Sequence, residues 1–332
     1  MTGSPAKLEI TTAPFLHRGL STSRLMGEVL LSLIPVILTA AYYFGVTALL
    51  LVLASSAGAV LTEWTFRGTG RGLATLMDGS ALLTGSLLAL TLPPATPLWM
   101  AFVGGVFGVA LGKTIWGGLG QNLFNPALVG RAFLQAAFPT VITTWTAPRG
   151  GFFALAPSTL AWPLARSSTD VVTVATPLGL AKFESQTTDL APLLLGNVAG
   201  SLGETAGLVL LVCGLWLGLR RVFDWRLPVA TLLTVALASA ALHALDPARY
   251  PGATFMLLSG GLLFATVFMV TDPVTTPITL RGAWLFGIGV GLLVILIRLW
   301  GGLPEGVMYA ILLMNAVTPL INRVTQPRRF GG

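Results

Sequence analysis

The chain has 332 residues, of which 54% are hydrophobic and only 9% charged, against about 25% charged residues in an ordinary soluble domain. That composition excludes a single soluble core, which would have to bury far more apolar surface than a domain of this size does. The net charge of +7 does not signal a nucleic-acid partner, because the basic residues are not clustered but lie between apolar runs, where membrane topology accounts for them.

Taken in order, the first 24 residues are polar and basic, without the short apolar stretch of a cleavable signal, and read as a cytoplasmic arm. Runs of bilayer-spanning character follow, and about 20 apolar residues are needed to cross. The first predicted spans are 29–44 and 46–61, separated by Gly45. Next come 80–92, which ends at Pro93-Pro94, and the Gly-rich 98–115. The run 122–138 carries Asn125, Pro126 and Arg131, so it is expected to be buried against protein rather than lipid. A polar segment occupies 139–190, and 191–203 is a short Gly-bearing run expected to be re-entrant or to lie on the surface. Spans at 205–219, 227–245, 253–270, 283–300 and 306–321 complete the chain. The single cysteine, Cys213, lies in an apolar run, where it reads as a small core hydrophobe. One cysteine excludes an internal disulfide or an iron–sulfur cluster held by this chain alone.

The expected fold is therefore an all-α polytopic membrane protein of about ten transmembrane helices. With the amino terminus in the cytoplasm, thirteen of the nineteen Lys and Arg residues face inward. Four (Arg149, Arg166, Lys182, Arg249) face outward, and Arg131 and Arg298 fall within spans. That bias fits ten crossings with both termini inside and puts the polar segment outside, in a periplasm if the cell has two membranes. The boundaries implied are a cytoplasmic arm at 1–28, a first repeat at 29–138, the outer loop at 139–190, a second repeat at 191–322 and a cytoplasmic tail at 323–332.

The halves resemble each other. Asp78-Gly-Ser leads through a small-residue helix to Thr91-Leu-Pro-Pro, as Leu258-Ser-Gly-Gly leads to Thr271-Asp-Pro. Gly117-Gly118 precedes Asn125-Pro, as Gly301-Gly302 precedes Asn315. Five crossings per half is an odd number, so duplication gives two inverted five-helix repeats, with discontinuous helices near the centre. Free helix ends there can hold a polar ligand. For the in-span Arg131 a bond to free carbonyls of a broken helix is one reading; for Asp78 and Asp272, at span ends, helix capping competes with a functional role.

No nucleophile elbow, phosphate-cradling loop or His/Cys metal cluster is present, and His17 and His243 lie far from the polar segment. The string Asp170-Val-Val-Thr-Val-Ala-Thr176, followed by Pro177, is the place at a water interface where chemistry could reside. From the residues alone, its threonines are either plain turn residues or sites of covalent modification.

Asp170-x-x-Thr173-x-Ala175-Thr176 resembles the flavinylation motif Asp-x-x-Ser/Thr-Gly-Ala-Thr, with Val174 where Gly is usual. The flanking blocks also match: Asp78-Gly-Ser-Ala-Leu-Leu-Thr-Gly, Asn122-Leu-Phe-Asn125-Pro-Ala, Arg131-Ala-Phe-Leu, Leu195-Gly-Asn, Gly203-Glu-Thr, Thr271-Asp-Pro-Val-Thr, Pro304-Glu-Gly-Val and Met314-Asn. Over nearly the whole chain the sequence is similar to the D-type membrane component of the Rnf electron-transport complexes, and to the related B-type component of the sodium-translocating NADH:quinone reductase.

The resemblance implies covalent FMN joined through a phosphoester to Thr176, installed by a separate flavin transferase that reads Asp170, Thr173 and Ala175. It implies a second, noncovalent riboflavin, whose neighbourhood is assigned to Asn122 and Asn125. It further implies an electron-relaying component of an ion-translocating ferredoxin:NAD oxidoreductase, in a bacterial inner membrane, in contact with lipid and with the other membrane and iron–sulfur or flavin subunits. Helix pattern alone leaves two other classes open, a channel or carrier for a small polar solute and a structural anchor for partner subunits.

Overall fold

A helix that breaks inside a bilayer leaves carbonyls without partners, and each one left unpaired costs several kcal/mol. The computed structural model shows how this chain meets that demand at two breaks. It describes residues 22–66, 78–148, 152–153, 155, 158–163, 173–204 and 206–326, and among them every regular element is helical.

The helices are α1 (Thr22–Phe44), α2 (Val46–Phe66), α3 (Ser80–Leu90), α4 (Leu98–Val109, extended by a π turn at Ala110–Thr114), α5 (Pro126–Ala137) and α6 (Pro139–Ile142). After the polar segment come α7 (Pro177–Gly179, extended by a π turn at Leu180–Glu184), α8 (Leu190–Leu195), α9 (Gly207–Leu219) and α10 (Arg226–Leu245). The last are α11 (Ala253–Leu258), α12 (Leu262–Phe268), α13 (Leu280–Trp300) and α14 (Val307–Val324). Five of these, α1, α2, α10, α13 and α14, are long and apolar enough to cross a membrane, and shorter apolar helices at Ser80–Leu90, Leu98–Thr114 and Gly207–Leu219 accompany them. The molecule is a multi-pass helical membrane protein. Large apolar residues such as Leu38, Leu53, Leu215, Leu237 and Leu296 face outward, as lipid-facing surface requires.

Two expected spans are shorter or interrupted. The run predicted at 253–270 is split into α11 and α12 by Ser259-Gly260-Gly261. The run predicted at 122–138 is helical only from Pro126, because Asn125 caps it with its own side chain, accepting from the amides of Ala127 and Leu128.

Packing repeats along the chain. Among the helix pairs, α2 meets α4 most extensively, and α10 meets α13 in the same way; α4 then packs on α5 as α13 packs on α14. Small residues allow the close approach. A Cβ at Gly58 would lie 2.2 Å from the Phe102 carbonyl oxygen, and one at Gly105 2.2 Å from that of Ser55. On the other pair, a Cβ at Gly287 would lie 2.6 Å from that of Ala230. The halves meet where α1 contacts α9 and α5 contacts α14. They are also tied through Asn125, whose Nδ2 donates to Asp272 Oδ2 at 3.1 Å and whose backbone amide donates to Asn315 Oδ1 at 3.3 Å.

Both breaks are capped from a distance. At the end of α3, the Leu90 carbonyl accepts from the Gly203 amide at 2.7 Å and that of Leu92 from the Leu202 amide at 3.2 Å. Between them the Thr91 carbonyl accepts from the Arg131 guanidinium. The run 191–203 therefore supplies a short helix and then a turn whose amides close α3. At the end of α11, the Arg298 guanidinium donates to the carbonyls of Met256 at 2.6 Å and Ser259 at 3.0 Å. The two short helices α3 and α12 each follow a left-handed glycine, Gly79 (φ 75°) before α3 and Gly260 (φ 65°) before α12.

A buried cation reaches each of these starts. Lys113, near the end of α4, pairs with Glu63 of α2 at 2.9 Å and donates to the Ser80 hydroxyl. Arg298, near the end of α13, pairs at 3.3 Å with Glu305 from the α13–α14 linker. Asp78 accepts from the Ser80 amide at 2.8 Å, which is a capping role.

Candidate functional site

A cavity of about 480 Å³ lies between the end of α3 and the start of α12. Its walls are largely apolar and include Leu128, Trp145, Phe264, Met308 and Tyr309; its charged lining is Arg131, Glu184, Glu204 and Glu305. The size and lining match those of small-molecule sites, which are mostly apolar with a few placed polar groups. Thr173, Val174, Ala175 and Thr176 form one rim.

Local chemistry fixes that rim. Thr176 is extended (φ −73°, ψ 157°), its Oγ1 accepts from the Gly179 amide at 3.1 Å, and Pro177 occupies the first helical position of α7. Pro177 and Leu178 are buried while Thr176 is only half-buried, so its hydroxyl stays within reach of solvent. Before it, the Val174 amide donates to the Trp145 carbonyl at 2.9 Å. After it, the Lys182 ammonium donates to the carbonyls of Ile297 (3.3 Å), Gly301 (2.6 Å) and Leu303 (3.0 Å), closing the end of α13. Partial burial holds the Lys182 amine below its ordinary range.

Glu204 and Glu305 meet across Gly261. A Cβ at Gly261 would lie 2.9 Å from Glu204 Oε1, and the Gly261 amide donates to Glu305 Oε2 at 3.0 Å. A Cβ at Gly260 would lie 2.0 Å from Glu305 Oε2, so two adjacent glycines make room for two carboxylates.

Of the residues singled out in the sequence, Thr173, Ala175 and Thr176 come together on this cavity, and Asp170 lies outside the described residues. Asn122 and Asn125 are elsewhere. They line a cavity of about 70 Å³, with Ser80, Lys113 and Asp272, at the start of α3 and the end of α12. Their amides serve the fold. Asn122 Nδ2 donates to the Phe124 carbonyl at 3.2 Å, and Asn125 caps α5 and bonds Asp272.

Glu204 was not singled out as a site residue. Its signals were the Gly203-Glu-Thr block, which counted only toward the family resemblance, and an acid flanked by Gly200, Gly203 and Gly207. Arg131, by contrast, does bond a carbonyl at a broken helix, one of the roles its position suggested.

Residues 9–331 match the model of the NQR2, RnfD, RnfE family. The chain is 43% identical to the D-type component of an ion-translocating oxidoreductase complex from Stutzerimonas stutzeri, over 94% of this chain and 92% of that one. It is 39% identical to the D-type component of a Na(+)-translocating ferredoxin:NAD(+) oxidoreductase complex from Acetobacterium woodii (98% and 95% covered). It is 38% identical to the D-type component of a proton-translocating ferredoxin:NAD(+) oxidoreductase complex from Clostridium ljungdahlii (97% and 96% covered). On a match spanning nearly its whole length, and on relatives covered almost end to end, the chain belongs to the NQR2, RnfD, RnfE family.

Proposed function

We propose that this chain is the membrane component of an ion-translocating ferredoxin:NAD oxidoreductase complex, carrying FMN as a phosphoester on Thr176 and relaying electrons coupled to Na+ or H+ movement. The observation that carries this reading is the position of the Thr176 hydroxyl, half-buried on the rim of a cavity of about 480 Å³ in a chain with these relatives. Bound there, the isoalloxazine would supply one- and two-electron redox chemistry.

The chain's own part is holding and shielding. Thr176 Oγ1 is the attachment atom; as an ester it can still accept from the Gly179 amide. Buried Pro177 and Leu178 and the Lys182 bonds to the end of α13 keep that atom in place. Leu128, Phe264 and Met308 exclude water from one side, while Arg131, Glu204 and Glu305 set the field inside.

The same reading includes ten crossings in two inverted repeats, with the repeats at 29–138 and 191–322 and both termini cytoplasmic, in a bacterial inner membrane. The repeated packing of α2 on α4 and α10 on α13 supports it. It assigns maturation to a flavin transferase and the remaining electron carriers to other subunits. On this reading riboflavin stays beside Asn122 and Asn125, at the opposite ends of α3 and α12, where the cavity of about 70 Å³ would have to widen to admit the ring. The test is a denaturing gel viewed under ultraviolet light after coexpression with the transferase. A fluorescent band that is lost in Thr176→Ala is expected, and a dark wild-type band would overturn the assignment.

A further inference from the structure

We propose that Glu204 is the proton-exchange residue of the Thr176 cavity, giving a proton to the redox group held there when electrons arrive and taking it back when they leave. This rests on the flavin reading above and adds a residue to it.

Three observations carry the inference. First, Glu204 lies on the cavity wall, in the turn between α8 and α9 and outside the spanning helices. Its carboxylate sits in a slot between two glycines. A Cβ at Gly200 would lie 3.2 Å from Oε2, and one at Gly261 2.9 Å from Oε1. Second, both carboxylate oxygens of its neighbour Glu305 are already engaged. Glu305 Oε1 accepts from the Val307 amide at 3.3 Å, Oε2 accepts from the Gly261 amide at 3.0 Å, and Arg298 pairs with both oxygens at 3.3 Å. Among the described residues Glu204 has no ion pair; Oε2 accepts from the Ser201 amide at a long 3.4 Å, with the Ser201 side chain beside it. Third, two carboxyl groups sharing a sheltered site do not both ionise readily. Of the charges that face Glu204, Glu305 opposes ionisation and Arg131 favours it, but the Arg131 guanidinium is turned to the Thr91 carbonyl. Arg298 is spent on Glu305 and on two carbonyls, and Glu184 sits exposed on the cavity wall. Burial and Glu305 together hold the Glu204 carboxyl above its ordinary range.

The step balances. Electrons come from the reduced substrate of the complex, ferredoxin or NADH. The O–H bond of the Glu204 carboxyl breaks, an N–H bond forms on the flavin ring, and the carboxylate left behind is reprotonated from water entering past Glu184. Reoxidation runs the transfer backward. Glu305 and Arg298 form a fixed pair that sets how readily Glu204 lets go.

The experiment uses the full chain, coexpressed with the flavin transferase and purified in detergent. Oxidised-minus-reduced infrared difference spectra are recorded in H2O and D2O, with the flavin midpoint potential followed against pH. Glu204 is protonated in both end states but faces a different redox state of the ring, so the wild type is expected to show a paired positive and negative protonated-carboxyl band that shifts in D2O. Glu204→Gln is expected to lose the band and flatten the potential-versus-pH slope, while its flavin fluorescence on the gel stays at the wild-type level. Glu204→Asp is expected to keep the band at a shifted position, and it is the variant read if Glu204→Gln does not assemble. A fluorescent Glu204→Gln protein with an unchanged band and slope overturns this proposal alone, as does an unshifted band in Glu204→Asp. A dark wild-type band overturns both it and the flavin reading.

Discussion

The starts of α3 and α12 use one device in two ways. At each, a basic residue near the end of a longer helix bonds beside a left-handed glycine: Lys113 at the Ser80 hydroxyl after Gly79, Arg298 at the Ser259 carbonyl before Gly260. The difference lies in where the carboxylate comes from. Glu63 belongs to the wall of α2, so its pair with Lys113 is sealed, both side chains 2% exposed, and the adjoining cavity measures about 70 Å³. Glu305 comes from a linker, Gly260 and Gly261 carry no side chains, and the rim at 173–176 closes over the front, leaving about 480 Å³. A buried ion pair is a strut when both partners stand on helices. It becomes part of a site when one stands on a loop.

That contrast can be broken, starting with the open end. Thr176→Ala is expected to abolish flavin fluorescence of the denatured band completely while leaving the thermal midpoint of the protein near the wild-type value, since the side chain contributes one hydrogen bond to a three-residue helix. At the sealed end, Lys113→Met should remove the buried cation that pairs with Glu63 and cost about 3–5 kcal/mol. The double variant Lys113→Met/Glu63→Met should recover most of that loss, measured by thermal unfolding in detergent. If the double variant is no more stable than the single, the pair is not the strut described. Gly260→Ala should be milder, about 1–3 kcal/mol from the left-handed backbone alone, yet should reduce flavin loading because the new methyl meets Glu305. Smallest of all is Val174→Gly. Val174 holds the rim through its backbone amide, and the residue is 37% exposed, so fluorescence yield is expected to be unchanged.

Much of the fold was legible because apolar length and Gly/Pro interruption are local properties. The break at Pro93-Pro94 and the tight turn at Gly45 follow from neighbouring residues, whereas the Asn125 cap that starts α5 at Pro126 lies in the interior of a predicted span. The split at Ser259-Gly260-Gly261 was visible as a glycine pair, but its consequence was not, because the carbonyls it frees are met by Arg298 about 40 residues on. The closure of α3 by Leu202 and Gly203 spans more than 100 residues and leaves no periodic trace. The same holds for the site. Thr176 stood out by its motif, whereas Glu204 becomes interpretable only beside Gly261 and Glu305. Asn122 and Asn125 were conspicuous polar residues, and the fold uses their amides to hold itself together at the far end of the same half-helices.

The Lys182 ammonium grips the final carbonyls of α13 only six positions after Thr176. The tether and the last long hairpin are thereby one mechanical body. If Thr176 carries the proposed flavin, any tilt or slide of α13 would drag the attachment oxygen along, and the group hung there would swing like a pendulum from a moving beam. On that reading, electron-transfer distance and helix position would become a single coordinate.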